Sequence, residues 1–452
     1  MSHLDPFDVA VVGGGPGGST TAYYLCKCSN LKVALFDQAR FPRQKVCGEG
    51  VAYASQQILG EMGLLEKLQP NIHYCSAGGL SSPSGISYVE TSTRGPAEVR
   101  IAMVHRTILD TAILRRAEQE GCRVFEGHHT TKVEYDTTSA LWVLRFCVTP
   151  GEEGNALEDS SRERTYHARA LVAADGASSN ICRTLGLVTS PPQAWSSQSY
   201  IRAGTHRFQH DMFFFYRPSI SPGYVSLFTM ANGDVNMCVY AVPGTGLKAP
   251  DVVALHERLL REDPLIRGAL GPEAQSSPIK AGPLRCGGNR RSYARALLAV
   301  GDAAGFVDPL TGEGIHWAMV SGQLAARTLA EGFAKGDLSA RQMGRYQTGW
   351  RRAFGRGFFW SSVFAKAIRW CPILLDAVVA RVRADSGASG AISPFAREWA
   401  LCFAGTHSKV RLLHPRSNTS GIISWLVGQQ KKQFFGAGQW QLARFWMSGD
   451  RC

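Results

Sequence analysis

Three glycines near the start of the chain stand at a spacing that can hold a diphosphate: Gly13, Gly15 and Gly18, within Val9-Ala-Val-Val-Gly-Gly-Gly-Pro-Gly-Gly-Ser19. Glycine there permits a sharp turn, close approach of backbone N–H groups to a pyrophosphate, and tight packing of the helix that follows. Asp37 stands nineteen residues beyond Gly18, at the end of the next apolar run, Lys32-Val-Ala-Leu-Phe36. A carboxylate in that place accepts the ribose hydroxyls of an adenine dinucleotide. A second glycine turn, Gly312-Glu-Gly314, follows Gly301-Asp302 late in the chain. A helix start with small residues lets a flat ring approach and favours negative charge developing on it. Between Asp37 and the next helix runs a polar loop with Arg43, Lys45, Cys47, Gly48 and Glu49, which must pass along the bound dinucleotide. Taken singly, Arg43 and Lys45 also read as solvated loop charges.

These residues need particular elements to position them. Val9–Val12 reads as a buried strand, with a helix carrying Ala22, Leu25 and Cys26 after it. Val104–Ala117 is amphipathic, with Gly121 as its stop. Residues 131–148 read as a hairpin and 150–165 as a charged surface loop, and Ala170–Ser178 is a further strand ending in Asp175-Gly176. Residues 73–103 and about 195–280 alternate apolar and polar, and Ala231-Asn-Gly-Asp234 is a hairpin turn signal. Ile315, Ala318, Met319, Gly322, Ala325 and Leu329 mark the buried side of a helix after the second glycine turn. The fold class expected is α/β: a discontinuous Rossmann-like domain (1–72, 100–190 and 281–345), an antiparallel-sheet substrate domain (73–99 and 191–280), and a basic, aromatic-rich, mainly helical region (346–452).

The chain has 452 residues, 44% hydrophobic and 19% charged, which suits two or three packed units. Twelve cysteines without paired C-x-x-C spacing argue against zinc sites and a disulfide framework, and no metal is expected. The acidic N-terminus lacks a signal-peptide n-region, and the best apolar window, Ile368–Val382, is broken by Arg369, Pro372 and Asp376, so a cytoplasmic location is expected, with or without peripheral membrane attachment. Of the net charge of +13, the segment from Arg351 onward supplies +11: fifteen Lys/Arg against Asp376, Asp385, Glu398 and Asp450. Bases interleaved with Phe359, Trp360, Trp370, Trp425, Phe434, Trp440 and Trp446 fit an anionic membrane surface, and equally a helical domain with a solvated basic face; nucleic acid is not expected.

With these pieces in hand, the chain resembles the flavoprotein superfamily of aromatic hydroxylases, flavin halogenases and geranylgeranyl reductases, and most of all the geranylgeranyl reductase branch. The resemblance rests on Gly13–Gly18 with Asp37, on Phe41-Pro-Arg-Gln-Lys-Val-Cys-Gly-Glu-Gly50, on Arg106, on Asp175-Gly176 and on Gly301-Asp-Ala-Ala-Gly-Phe-Val-Asp-Pro-Leu-Thr-Gly-Glu-Gly314. In place of the reductases' Tyr-x-Trp-x-Phe-Pro strand stands Pro222-Gly-Tyr-Val-Ser-Leu-Phe-Thr229, which keeps Tyr224 and Phe228; the halogenase Trp-x-Trp-x-Ile-Pro is absent. The resemblance implies bound FAD. Gly13, Gly15 and Gly18 would lie on the pyrophosphate, Asp37 on the ribose and Arg106 on the phosphates or the neighbouring loop. Asp302 would meet the ribityl chain or pyrophosphate, and Gly312 and Gly314 the ring. It further implies a reductase that moves a hydride from flavin to one carbon of a C=C bond while an acid protonates the other. NADPH or a small electron carrier is the transient reductant, and the substrate is an apolar small molecule, prenylated or not. Cys47, Glu49, Tyr224 and His316 are the candidates near the ring, Cys47 first through the resemblance. The alternatives on the same residues are a monooxygenase or halogenase, and a non-catalytic membrane-associated FAD-binding protein.

Overall fold

The computed structural model describes residues 5–75, 78–89, 100–149, 162–386 and 398. Phe7–Val12 lies inside a sheet, paired in parallel with Arg162–Ala173 on one side and Val33–Phe36 on the other. Leu297–Ala299 and Arg123–Phe125 extend it in parallel, and Tyr293–Ala294 closes one edge antiparallel. The parallel strands are buried on both faces, so they read as unbroken apolar runs: Val9, Ala10 and Val11 are all buried. The hairpin of His128–Asp136 and Leu141–Val148 adds antiparallel strands to the first half of Arg162–Ala173.

Helices Pro16–Cys28 and Ile315–Ala334 pack together beside this sheet. Their approach depends on glycine: a Cβ on Gly322 would sit 2.7 Å from the Gly17 carbonyl, and one on Gly17 would sit 3.3 Å from the Ala318 carbonyl. The Ser321 hydroxyl accepts from the Gly301 N–H at 3.1 Å, tying this helix to the turn that carries Asp302. The helix foreseen over Val104–Ala117 runs Arg106–Gln119.

The second sheet has the order Lys280–Leu284, Ala194–Ile201, Val235–Ala241, Tyr224–Thr229, Met212–Phe215, Gly78–Ser81, Ser87–Val89. All its pairs are antiparallel except Met212–Phe215 with Gly78–Ser81. Period-2 alternation sorts its side chains: Val235, Met237 and Val239 pack with Val252, Leu255 and Leu259 of a helix, Ala249–Glu262, on one face. That helix and the next, Pro264–Leu270, correct the reading of 195–280 as antiparallel throughout. His73–Cys75 also departs from expectation, pairing with Ile101–Met103 and not with the second sheet; Gly50–Val51 completes this small third sheet.

Ala340–Trp350, a π-helical turn Arg351–Gly355, Arg356–Trp370 and Ile373–Ser386 follow. Most of the loop expected at 150–165 and the basic, aromatic segment from 387 onward, with Trp425, Phe434, Trp440 and Trp446, lie outside the described residues. No helix among the described residues is long and apolar enough to cross a membrane.

Candidate active site

A cavity of about 760 Å³ runs from the first glycine turn, past the Arg43–Gly50 loop, to the inner face of the second sheet. This is toward the upper end of the roughly 300–1,000 Å³ range of small-molecule sites. Gly13, Gly15, Gly18, Asp37, Lys45, Cys47, Gly48, Glu49, Arg106, Tyr224, Asp302, Gly312 and Gly314 all line it. Residues separated by three hundred positions therefore share one wall.

The glycines at one end divide into two kinds. Gly13 has φ +112°, and a Cβ there would lie 2.1 Å from the Ala174 carbonyl; one on Gly18 would lie 1.9 Å from the Gly13 carbonyl. These two make the turn possible. Gly15 is different, because the nearest atom to an added Cβ is the Arg43 guanidinium at 3.6 Å. Its missing side chain leaves open a groove at the first turn of the Pro16–Cys28 helix, where N–H groups have no intrahelical acceptor. Asp37 is buried, and its two oxygens accept from Gly14 N–H (2.7 Å) and Ala39 N–H (2.8 Å). Each carboxylate oxygen keeps a second lone pair for a ribose hydroxyl. Groove, acid and flanking Arg43 and Lys45 fit the diphosphate and ribose of FAD. At the second turn, Gly312 adopts φ +69°, where a Cβ would lie 3.3 Å from the Tyr240 ring, and Gly314 is the residue from which the Ile315–Ala334 helix starts. A flat ring fits there for the same reason: no side chain stands in the way.

Asp110, which the sequence reading passed over, organises the charges in the middle of the site. Arg106 donates from Nε and Nη2 to its two oxygens, both at 2.7 Å, and Arg43 Nη1 lies 3.2 Å from Oδ2. Asp110 is fully buried and Arg106 nearly so. Burial works against the Arg106 charge, but Asp110 more than offsets it and holds the guanidinium above its ordinary pKa. The Arg106 charge also acts on the Cys47 thiol, and the Arg106 backbone N–H holds Glu49 of the same loop. Of the two roles implied for Arg106, its contacts match the neighbouring loop. The i, i+4 spacing of Arg106 and Asp110 on one helix was the available signal.

Glu49 has φ +63°, a conformation that costs a non-glycine residue about 1–3 kcal/mol and is retained only when neighbours fix it. They do: its carboxylate accepts from Arg106 N–H (2.8 Å) and Asn236 Nδ2 (3.1 Å) and faces His105 Nδ1 at 3.3 Å. Asn236, a wholly buried residue of the second sheet, also donates to the Cys47 carbonyl at 3.1 Å, and Gln198 accepts from Cys47 N–H at 3.4 Å. The second sheet thus clamps the Cys47–Glu49 loop. Nothing local in the sequence announces a contact across 189 residues.

Burial pushes the Cys47 thiol above its ordinary pKa, with the Arg106 charge as the main opposing influence. Tyr224 is pushed well above its usual range by burial, and its hydroxyl donates to the Thr311 carbonyl. His316 corrects an expectation. Ile315 and Ala318 line the cavity, but His316, one step round the helix, does not; its ring lies against Trp317, with centroids 4.6 Å apart. Burial lowers its pKa to about 4, so near neutrality it has no proton to give. Beyond Cys47 the lining turns apolar, with Leu80, Ile101, Met212, Phe214, Tyr216, Phe228 and Val382. Among the described residues no group of His, Cys, Asp and Glu is placed to hold a metal.

The family profile described as "FAD binding domain" matches residues 6–355. The chain belongs to this FAD-binding family. Among its relatives, conditioned medium factor receptor 1 of Dictyostelium discoideum is 36% identical over 420 residues, covering 90% of this chain and 79% of that protein. Digeranylgeranylglycerophospholipid reductase 2 of Methanopyrus kandleri is 29% identical, covering 78% of this chain and 84% of the relative. In fold it matches a geranylgeranyl bacteriochlorophyll reductase-like protein of Thermoplasma acidophilum (TM-score 0.70, 20% identity, 92% of this chain and 99% of that one). It also matches a myxobacterial chondrochloren halogenase (TM-score 0.63, 21% identity, 79% and 82%). This flavoprotein is an FAD-dependent oxidoreductase.

Proposed function

We propose that this flavoenzyme reduces a C=C bond of an isoprenoid or similarly apolar molecule, with NADPH or a small electron carrier as the transient reductant. The observation that carries the reading is the continuity of the glycine-lined groove with the apolar lobe, and the placing of Cys47 where the two meet. Relatives named for a digeranylgeranyl lipid and for menaquinone point to substrates of the same chemical character.

Gly13, Gly15, Gly18 and Asp37 would hold FAD, which when reduced would supply a hydride. Residues of the chain must provide the rest. Phe214, Tyr216 and Phe228 exclude water and hold an apolar chain, which an isolated alkene requires as a poor hydride acceptor. The second carbon needs a proton, and three of the four candidates are otherwise engaged: Glu49 in the loop clamp, Tyr224 on Thr311, His316 outside the cavity. Half-buried Cys47 retains its proton because desolvation raises its thiol pKa, and the Arg106 charge would stabilise the thiolate left after transfer. Water then reprotonates the sulfur between turnovers.

The test is an anaerobic single turnover of reduced enzyme with a geranylgeranyl lipid. Saturated product is expected without oxygen; conversion that begins only when oxygen is admitted would replace the reductase reading with an oxygenase one. Cys47→Ser should slow the step at least about a hundredfold, the lower range of general-acid contributions, with flavin content unchanged. A rate within twofold of wild type would remove Cys47 from the reaction.

A further inference from the structure

On the far side of the C-terminal helices from the cavity, the surface is unlike the rest of the described molecule. From Ala340 to Leu375 the sequence holds seven Lys/Arg and no Asp or Glu. Arg352, Arg356, Phe359, Val363, Lys366 and Trp370 recur at steps of four and three, the period of one helical stripe. Phe359 is 62% exposed and Trp370 81%, the two most exposed large hydrophobic side chains among the described residues, and both are on the Arg356–Trp370 helix. Arg352, Arg356 and Lys366 are exposed and form no ion pair among the described residues. The opposite stripe, Phe358, Ser361, Ala365 and Ile368, is buried.

We infer that this stripe is a docking face for an anionic lipid bilayer. The charge pattern complements anionic headgroups, and aromatic rings raised between bases match the chemistry of the interface, where a ring inserts below the headgroups while the bases stay among them. A solvated basic face has no need of a tryptophan standing so far into water. The inner side of the same helix is fixed: Ser361 Oγ donates to Asp308 Oδ2 at 2.8 Å, and Ala365 and Ile368 pack with Tyr216 and Leu310. Tyr216 lines the cavity. Bilayer and apolar lobe would therefore flank one helix, about 10 Å across. The inference does not depend on the reductase reading, since vesicle binding is measured without turnover.

The experiment is co-sedimentation of the full-length, FAD-loaded protein with phosphatidylcholine vesicles, with and without phosphatidylserine. Binding is expected only with phosphatidylserine and should weaken with added salt. Phe359→Ser/Trp370→Ser should cut affinity at least about tenfold, the lower range for withdrawing one large apolar side chain. Arg352→Ser/Arg356→Ser/Lys366→Ser should lose about fivefold per residue. Circular dichroism and flavin absorbance should match wild type in both variants, since every altered side chain is exposed. The inference is overturned if wild-type protein stays in the supernatant, if the aromatic variant binds as wild type does, or if RNA or an acidic protein binds this face while vesicles do not.

Discussion

Replacing Asp110 with Asn tests whether one buried carboxylate holds the middle of the site together. The side chain keeps its shape but loses its charge, while Arg106 stays nine-tenths buried with two N–H groups aimed at it and Arg43 stays 3.2 Å away. Breaking a buried pair from one side costs about 3–5 kcal/mol, because the remaining ion has neither water nor counter-charge. Asn still offers one acceptor oxygen, so a loss of about 3 kcal/mol is expected. That is a large fraction of a typical net stability of about 5–15 kcal/mol. Urea unfolding of the FAD-loaded protein, followed by circular dichroism and flavin fluorescence, measures it. A companion variant sharpens the argument: Arg106→Met/Asp110→Leu removes both charges and keeps the volume, and should recover most of the stability. It should not recover the reaction, since the cation beside Cys47 is gone. If Asp110→Asn unfolds within 1 kcal/mol of wild type, the site is wetter than its burial implies and the charge argument is wrong.

Other consequences follow from single contacts. Gly18→Ala would place a methyl 1.9 Å from the Gly13 carbonyl, so purified protein should be colourless and fail to take up FAD on titration. Asn236→Leu should free the Cys47–Glu49 loop; faster proteolysis within 43–50 and weaker flavin retention are expected, with the second sheet's circular dichroism unchanged. His256 is wholly buried between the Ser197 and Ser199 hydroxyls, each 3.0 Å from a ring nitrogen, and burial lowers its pKa to about 4. Its neutral form is favoured by folding, so its contribution is complete above about pH 6.5 and is lost as pH falls toward 4. At pH 5 the loss is about 2 kcal/mol, and the stability–pH profile of His256→Gln should be flatter than wild type by that amount.

The dinucleotide-binding half was legible because each of its parts is local. A strand, a glycine turn and a helix are written in consecutive residues, and Asp37 follows at the end of the next strand. The helix Ala249–Glu262 was equally legible and was hidden by its surroundings: Val252, Leu255 and Leu259 follow a helical period after Pro250 at the first turn, inside a block whose other runs alternate as strands. His316 failed for a subtler reason. Proximity in sequence to Gly314 suggested the cavity, but helical phase decides, and Ile315 and Ala318 already occupy the inward positions. Asn236 could be suspected only as a polar residue in an apolar strand; its partner lies 189 residues away, and pairing at that separation leaves no trace in composition or period.

The two helices that meet through Gly17 and Gly322 lie far apart in the sequence. On a ribosome making roughly 5–20 residues per second, Gly314 emerges some 15 to 60 s after Gly18. During that interval the nascent protein has one wall of its coenzyme site and nothing to close it against. FAD is gripped late in synthesis, when the Ile315–Ala334 helix docks, and a chain truncated before that helix should be degraded as an apoprotein however intact its first glycine turn.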